Sequence, residues 1–512
     1  MNNKQISISA LLLSSSLCAM AQNCDEAKKP NVVIIYADDL GYGDVGCYNK
    51  DSKIPTPNID KLASNGIMFT DAHSPSSISG PSRYSIITGC YSWRTPLKSG
   101  NPKTGEQLRV EPERLTIASL LKENGYNTAA IGKWGLGANW EDAARPEREG
   151  LDVSPKSIDY SKPIPGAQVI GFTYEAIHRW FGHSYYSQTY PCHDEPTTAE
   201  KKDGTRWYFE NGMSKDGDPQ FEKFDMEEAQ MYYIEKAVEY VECAGGLGEN
   251  ENFNLKDDAP FFLYYAPHIP HYPHVPAKQF QGTTGVGLYG DFVYQLDWAV
   301  GRIVEALEKT NQLDNTIILF ASDNGPELQT YKYIEVYDHR SMNDLRGVKR
   351  DLYQGGHTTP FIVSYNGVTE KGKISDRLVS QTDIIATVAD LIDVNYNRRY
   401  AEDSFSFIDE IMPDKEVKDV RDMAIHHSAD GELALRYENW VFIMDKTGSC
   451  TPEPSWFREE LGAEKLDTAF ELFDLDTDPA QTRNVIKENP EVADKLRNLL
   501  FEYVYKGRTA SL

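Results

Sequence analysis

Four short apolar runs, each ending abruptly in a polar cluster, constrain this chain more than any other feature. Asn31 to Ala37 reads NVVIIYA and runs into Asp38-Asp39. Ala129-Ala130-Ile131 runs into Gly132-Lys133, Phe261 to Tyr265 into a His/Pro cluster, and Thr316 to Ala321 into Ser322-Asp323-Asn324. Continuous, β-branched runs without polar alternation are strands buried on both faces, the pattern of a parallel sheet. Helical stretches lie between them: Pro57 to Asn65, Leu115 to Asn124 closing at Gly125, and Asp291 to Lys309. The last places Val293, Leu296, Trp298, Ile303, Val304 and Leu307 on one side. The alternation predicts an α/β fold, a large central mostly parallel sheet flanked by helices. Ligands collect at the carboxyl ends of such strands, where the four polar clusters fall.

The chain has 512 residues, too many for one ordinary core. The rhythm changes near residue 401, and residues 401–512 read as a smaller C-terminal α+β domain after a main domain over 28–400. Its expected strands are Leu433 to Tyr437, Trp440 to Met444 and Glu471 to Leu475, followed by a helix from Pro490 to Tyr503. Residues from about Trp140 to Asp225, rich in Tyr, Trp, Pro and Gly, read as long insertions that shape a pocket.

The formal net charge of −26 argues against nucleic acid or an anionic membrane as partner. An enzyme acting on anions would have to offset that field with Arg, Lys or metal charge at its site. Residues 1–21 read as a signal peptide: Lys4, an apolar Ser-rich run from Ile6 to Leu17, and the cleavage pattern Ala19-Met20-Ala21. The run is too short to span a membrane, so a periplasmic or secreted location is expected. Cleavage leaves Cys24, Cys47, Cys90, Cys192, Cys243 and Cys450, whose spacing shows no disulfide framework.

Asp38, Asp39, Asp323 and Asn324 offer four hard oxygen donors at strand ends, a set suited to Ca²⁺ or Mg²⁺ and not to zinc. The segment Ser79-Gly80-Pro81-Ser82-Arg83, followed by Thr88-Gly89, adds an S-x-P-S-R pattern. That pattern resembles the site at which type I sulfatases, of the alkaline phosphatase-like superfamily, have a Cys or Ser oxidised to formylglycine. Other motifs resemble the same family in order: Asp38 to Asp44 (DDLGYGD), Gly132-Lys133-Trp134, Ser322 to Glu327 (SDNGPE), Lys349 with Tyr353 and Gly355-Gly356, and Leu472 to Leu475 with Asp478-Pro479.

The resemblance implies a sulfatase that hydrolyses sulfate monoesters on glycans through a formylglycine hydrate made from Ser79. A serine-oxidising maturating enzyme is then a required partner. Asp38, Asp39, Ser79, Asp323 and Asn324 would hold the metal, Ca²⁺ before Mg²⁺, and Arg83, expected to start the following helix, would hold the modified side chain and the acids. Lys133 and Lys349 would pair with sulfate oxygens. His271 would protonate the departing alcohol, with His268 as the alternative and His274 as a rim or substrate-contact residue. Where the family reads GKWHLG, this chain has Gly135 in place of the histidine, and His183 and His178 are candidates to fill that space. Trp180, Phe181, Tyr185, Tyr186, Tyr190 and Trp207 could stack on sugar rings or pack a small core of their own. Two alternatives stand beside the sulfatase: a phosphodiesterase or phosphonate hydrolase of the same superfamily, and a catalytically impaired glycan-binding relative.

Overall fold

The computed structural model describes residues 28–102, 107–138, 166–179, 207–210, 213–214, 226–249, 253–463 and 467–511. The chain opens with β1 (Asn31–Ala37), α1 (Pro57–Ser64), β2 (Ile67–Phe69), β3 (Ala72–His73) and α2 (Ser79–Thr88). Then come α3 (Ile117–Glu123), β4 (Asn127–Lys133), β5 (Tyr174–Arg179), β6 (Trp207–Glu210), β7 (Met213–Ser214), α4 (Met226–Ala244) and β8 (Phe261–Ala266). They are followed by α5 (Gly287–Lys309), β9 (Thr316–Ser322), α6 (Thr330–Tyr337), α7 (Gln354–His357), β10 (Phe361–Tyr365), β11 (Lys373–Ser375), β12 (Val379–Ser380), α8 (Ile384–Leu391) and α9 (Ile408–Ile411). Last are β13 (Met423–His427), β14 (Leu433–Tyr437), β15 (Trp440–Ile443), α10 (Ser455–Leu461), β16 (Glu471–Asp474) and α11 (Pro490–Lys506).

Ten strands form one sheet in the order β11-β2-β10-β9-β1-β8-β4-β5-β6-β7. The five central strands, β9 to β5, are parallel; β10 runs against its neighbours β9 and β2, and β6 and β7 are antiparallel additions at the far edge. Every residue of β1 is buried. Because successive side chains point to opposite faces, Val32, Ile34 and Tyr36 join a core with α2, α3 and α8. Val33, Ile35 and Ala37 join the other, under α4 and α5. Burying a Val or Ile side chain contributes ~1.5–3 kcal/mol, so both faces of β1 anchor the fold.

A mostly parallel α/β sheet is therefore what forms, with three differences in detail. The Trp140 to Asp225 region is not insertion alone: β5 pairs with β4, and Tyr174, Ala176 and Ile177 are core residues. The helix after the serine motif starts at Ser79, so Arg83 lies in its second turn. The four-stranded antiparallel C-terminal sheet begins with β13, unpredicted because its sequence MAIHH ends in two histidines that read as polar, though both are buried.

Helix α11 covers one face of that sheet through Leu496 and Leu500, in a core shared with Tyr91 and Trp93; Leu352 and Tyr353 pack on its other side. Buried Arg421 binds both oxygens of Asp383, at 2.8 and 2.5 Å, just ahead of α8. Cys47, Cys90, Cys243 and Cys450 are free thiols. Among the described residues no helix is long and apolar enough to cross a membrane.

Candidate active site

Strands β9, β1, β8 and β4 are neighbours, so the clusters at their carboxyl ends meet at one place. Backbone bonds splice these ends together: Asp38 N–H donates to Ile269 C=O at 2.9 Å, and Asp323 N–H to Ala37 C=O at 3.1 Å. Asp39 adopts a left-handed conformation, φ 65°. Such a geometry costs a non-glycine residue energy and is held only where surrounding structure enforces it. Ligand oxygens of Asp38, Asp39 and Asp323, all buried, fall within 4.8 Å of one another.

Ser79 is the first residue of α2, where unsatisfied N–H groups and the helix dipole favour negative charge. Its hydroxyl lies 3.1 Å from Asp38 Oδ1 and 3.4 Å from Asn324 Oδ1, and Lys133 Nζ is 3.4 Å away. Arg83, one turn on and fully buried, donates to Asp323 Oδ2 at 2.7 Å and to Lys133 C=O at 3.2 Å, and sits 3.5 Å from Asp38 Oδ1. Lys133 grips both Asp38 oxygens at 2.6 and 2.5 Å; Lys349 binds Asp39 Oδ2 at 2.6 Å.

The electrostatics follow from burial and from which acid holds which cation. Burial would raise Asp38, but Lys133, His271 and His268 hold it well below the usual carboxylate range. Burial and the neighbouring acids push Asp39 up to about 7 despite Lys349, and Asp323 is also raised. Three crowded carboxylates that resist ionising together form a hard-oxygen donor set for a divalent cation. With the Asn324 amide oxygen beside them, these residues fit Ca²⁺ or Mg²⁺.

The histidines separate by depth. His268 Nδ1 lies 2.7 Å from Asp38 Oδ2 in the interior, and burial lowers it to about 4. His271 is partly exposed; its Nδ1–H donates to Tyr272 C=O at 2.5 Å, leaving Nε2 3.6 Å from Asp39 Oδ2. His274 is not on a rim: it is buried, packed against Tyr289 and bonded to the Tyr333 hydroxyl at 3.2 Å. The backbone of His178 lies opposite Lys133 in the β4–β5 register. His183, Trp180, Phe181, Tyr185, Tyr186 and Tyr190 lie outside the described residues, and of Trp207 only the backbone, at the start of β6, is described.

Gly135 has φ +69°, and a Cβ there would meet Arg83 Cδ at 3.3 Å. Left-handed backbone against the arginine stem explains why glycine suits this position. Three further residues went unassigned in the sequence. Asn101 Oδ1 accepts from Gly80 N–H at 2.7 Å and so caps the helix that carries Ser79. Glu327 forms a two-point pair with Arg350, 2.6 Å at each contact, and lies 3.7 Å from Lys349. These cations hold Glu327 down to about 2 against its burial. Asn101 carried no signal, since Asn in a Gly/Pro stretch reads as a turn; Glu327 ended a quoted motif but had no role.

The family described as Sulfatase matches residues 30–394. An N-acetylgalactosamine-6-O-sulfatase of Bacteroides thetaiotaomicron is 30% identical, over 96% of each chain. Human arylsulfatase A is 31% identical over 74% of this chain and 67% of its own. A solved Bacteroides thetaiotaomicron structure, reported in a study of glycosaminoglycan metabolism, superposes with TM-score 0.74 at 28% identity, covering 94% of this chain and all of that one. With this match across nearly the whole described fold, the chain belongs to the sulfatase family and is a sulfuric ester hydrolase.

Proposed function

We propose that the chain is an exported sulfatase that removes sulfate from sulfated glycans, with Ser79 oxidised to formylglycine and Ca²⁺ held by Asp38, Asp39, Asp323 and Asn324. The observation that carries this reading is the seat of Ser79. It starts a buried helix, its hydroxyl faces Asp38 and Asn324, and two lysines and an arginine surround the acids. The named activity of the 6-O-sulfatase relative, and the glycosaminoglycan setting of the solved structure, support a sulfated amino sugar as the substrate class.

When present, formylglycine supplies a hydrated carbonyl hydroxyl as nucleophile, and the divalent cation supplies positive charge beside it. The chain's own residues do the rest. Lys133 and Lys349, each 2.5–2.6 Å from an acid, present fixed cationic donors where charge develops on sulfate oxygens. Arg83 keeps Asp323 and Asp38 in place from inside the protein. His271 is oriented by its Nδ1–H bond to Tyr272 C=O; as the doubly protonated imidazolium, with Nε2–H beside Asp39 Oδ2, it passes that Nε2 proton to the departing alcohol and is left neutral. His268 is deeper and steadies Asp38.

The test is expression with a serine-oxidising maturating enzyme, followed by mass spectrometry of the Ser79 peptide and desulfation assays. The substrates would be defined mono- and disaccharides, beginning with 6-O-sulfated N-acetylgalactosamine. Loss of two hydrogens at Ser79 and release of sulfate are expected. Ser79→Ala should abolish turnover with the fold intact; near-normal hydrolysis by that variant would overturn the mechanism.

A further inference from the structure

Three buried histidines converge from three parts of the chain: His73 on β3, His357 at the end of α7 and His426 on β13. One ring nitrogen from each lies within 4.8 Å of the others. None of the three belongs to the acid cluster at the strand ends.

Each outer nitrogen meets an acceptor. His73 Nε2 is 2.8 Å from Asp71 Oδ1, His357 Nε2 is 3.1 Å from Leu352 C=O, and His426 Nδ1 is 3.2 Å from Ser74 C=O. A carbonyl or carboxylate oxygen only accepts, so each outer nitrogen carries the hydrogen. A neutral imidazole has one N–H. The inner nitrogens, His73 Nδ1, His357 Nδ1 and His426 Nε2, are therefore bare lone pairs facing one another.

His73 Nδ1 and His357 Nδ1 stand 3.1 Å apart, and His426 Nε2 has no hydrogen-bond partner among the described residues. A single extra proton on His73, balanced by Asp71, would mend the first contact and still leave His426 Nε2 buried and unsatisfied. A cation accepting all three lone pairs satisfies the whole set. Outer N–H groups held by a carboxylate and backbone carbonyls are also what histidine ligands of metals carry. Thr358 supplies a fourth donor: its hydroxyl donates to Gln354 Oε1 at 2.8 Å, which turns a lone pair toward His73 Nδ1 at 3.4 Å.

We propose that His73, His357 and His426, with the Thr358 hydroxyl, form a closed structural site for a transition-metal ion, Zn²⁺ being the best fit to three neutral imidazoles and one oxygen. The site cross-links β13 of the C-terminal sheet to β3 and α7, at the chain segment that leads into Ser79. The rings of His357 and His426 are stacked with centroids 3.8 Å apart at 11°. Coordination by both would require one of them to tilt out of the stack, because a metal ligated by an imidazole nitrogen lies near the plane of the ring.

The test is elemental analysis of the full chain from zinc-supplemented culture, with His426→Phe and the milder Thr358→Val beside it. Stoichiometric zinc is expected in the wild type, absent from His426→Phe and lost faster to a chelator from Thr358→Val. Cobalt-grown protein should show the visible absorption of tetrahedral Co²⁺. If the variants fail to fold, wild-type zinc content and the cobalt spectrum decide. Wild-type protein with only trace zinc and no cobalt spectrum overturns the proposal, as does a folded His426→Phe that keeps its zinc. Neither failure touches the Ser79 reading, which is measured by sulfate release.

Discussion

Arg83→Met isolates what the buried arginine does at the acid cluster. The side chain is fully buried, 2.7 Å from Asp323 and 3.5 Å from Asp38, and lies over the Tyr36 ring with 5.4 Å to the centroid. Methionine keeps much of the apolar stem but removes the charge, leaving Asp323 without its close cation. Removing one partner of a buried pair costs ~3–5 kcal/mol. In a chain of 512 residues, with about 2.1 cal/mol/K of unfolding entropy per residue, each kcal/mol moves the melting temperature by about 1 °C, so a fall of about 3–5 °C is expected. The sign of the metal dependence is also set. Ca²⁺ among the acids takes over part of the lost positive charge, so the fall should be larger in chelator than in excess Ca²⁺. Differential scanning calorimetry in both conditions measures this, and desulfation should drop by about 10²-fold or more. A variant melting within about 1 °C of the wild type in both buffers would refute the claim that Arg83 carries the charge balance of the site.

Chelation of divalent ions should abolish sulfate release and lower the melting temperature, with Ca²⁺ restoring both. At a hundredfold excess over the dissociation constant the bound ion adds about 2.7 kcal/mol, readable by titrating Ca²⁺ against the melting curve. Gly135→His, which installs the family's usual residue, should not raise kcat. The left-handed φ of +69° alone costs about 1–2 kcal/mol, and its Cβ presses on Arg83, so thermal melting and steady-state kinetics should both show a loss. Glu471, buried and accepting from Tyr353 O–H and Gly448 N–H, is raised to about 7. A carboxyl raised in the folded state binds its proton more tightly there than when unfolded, so its penalty is absent at low pH and grows as pH rises toward 7. Glu471→Gln should therefore stabilise the protein at pH 8, by up to about 3 kcal/mol, and leave it unchanged near pH 4, as denaturant melts at the two pH values would show.

Much of the site could be read along the chain because its parts are local. A run such as Val32 to Ala37 must be buried on both faces, so the acids that follow it must sit at a strand end. The serine segment is likewise contiguous, and its start at the helix N-terminus is a one-turn refinement of what its residues imply. His268 and His271 were separable only in three dimensions, since their three-residue spacing says nothing about which one reaches Asp38. Asn101 and Arg350 act through loop geometry, which leaves no periodic signal. Strand β13 hid because burial of His426 and His427 overrides the polarity by which they are read.

What the sequence determined by itself was the architecture and the polar clusters at its strand ends, because hydrophobic period and contiguous motifs are short-range properties. What only the tertiary structure decided was the pairing. Lys133 holds Asp38 while Lys349 holds Asp39, and Arg83 reaches Asp323 across 240 positions of sequence. His73, His357 and His426 likewise meet from distant segments. Such contacts depend on the strand order and on which loop end lies above which neighbour, and chain spacing does not encode that distance.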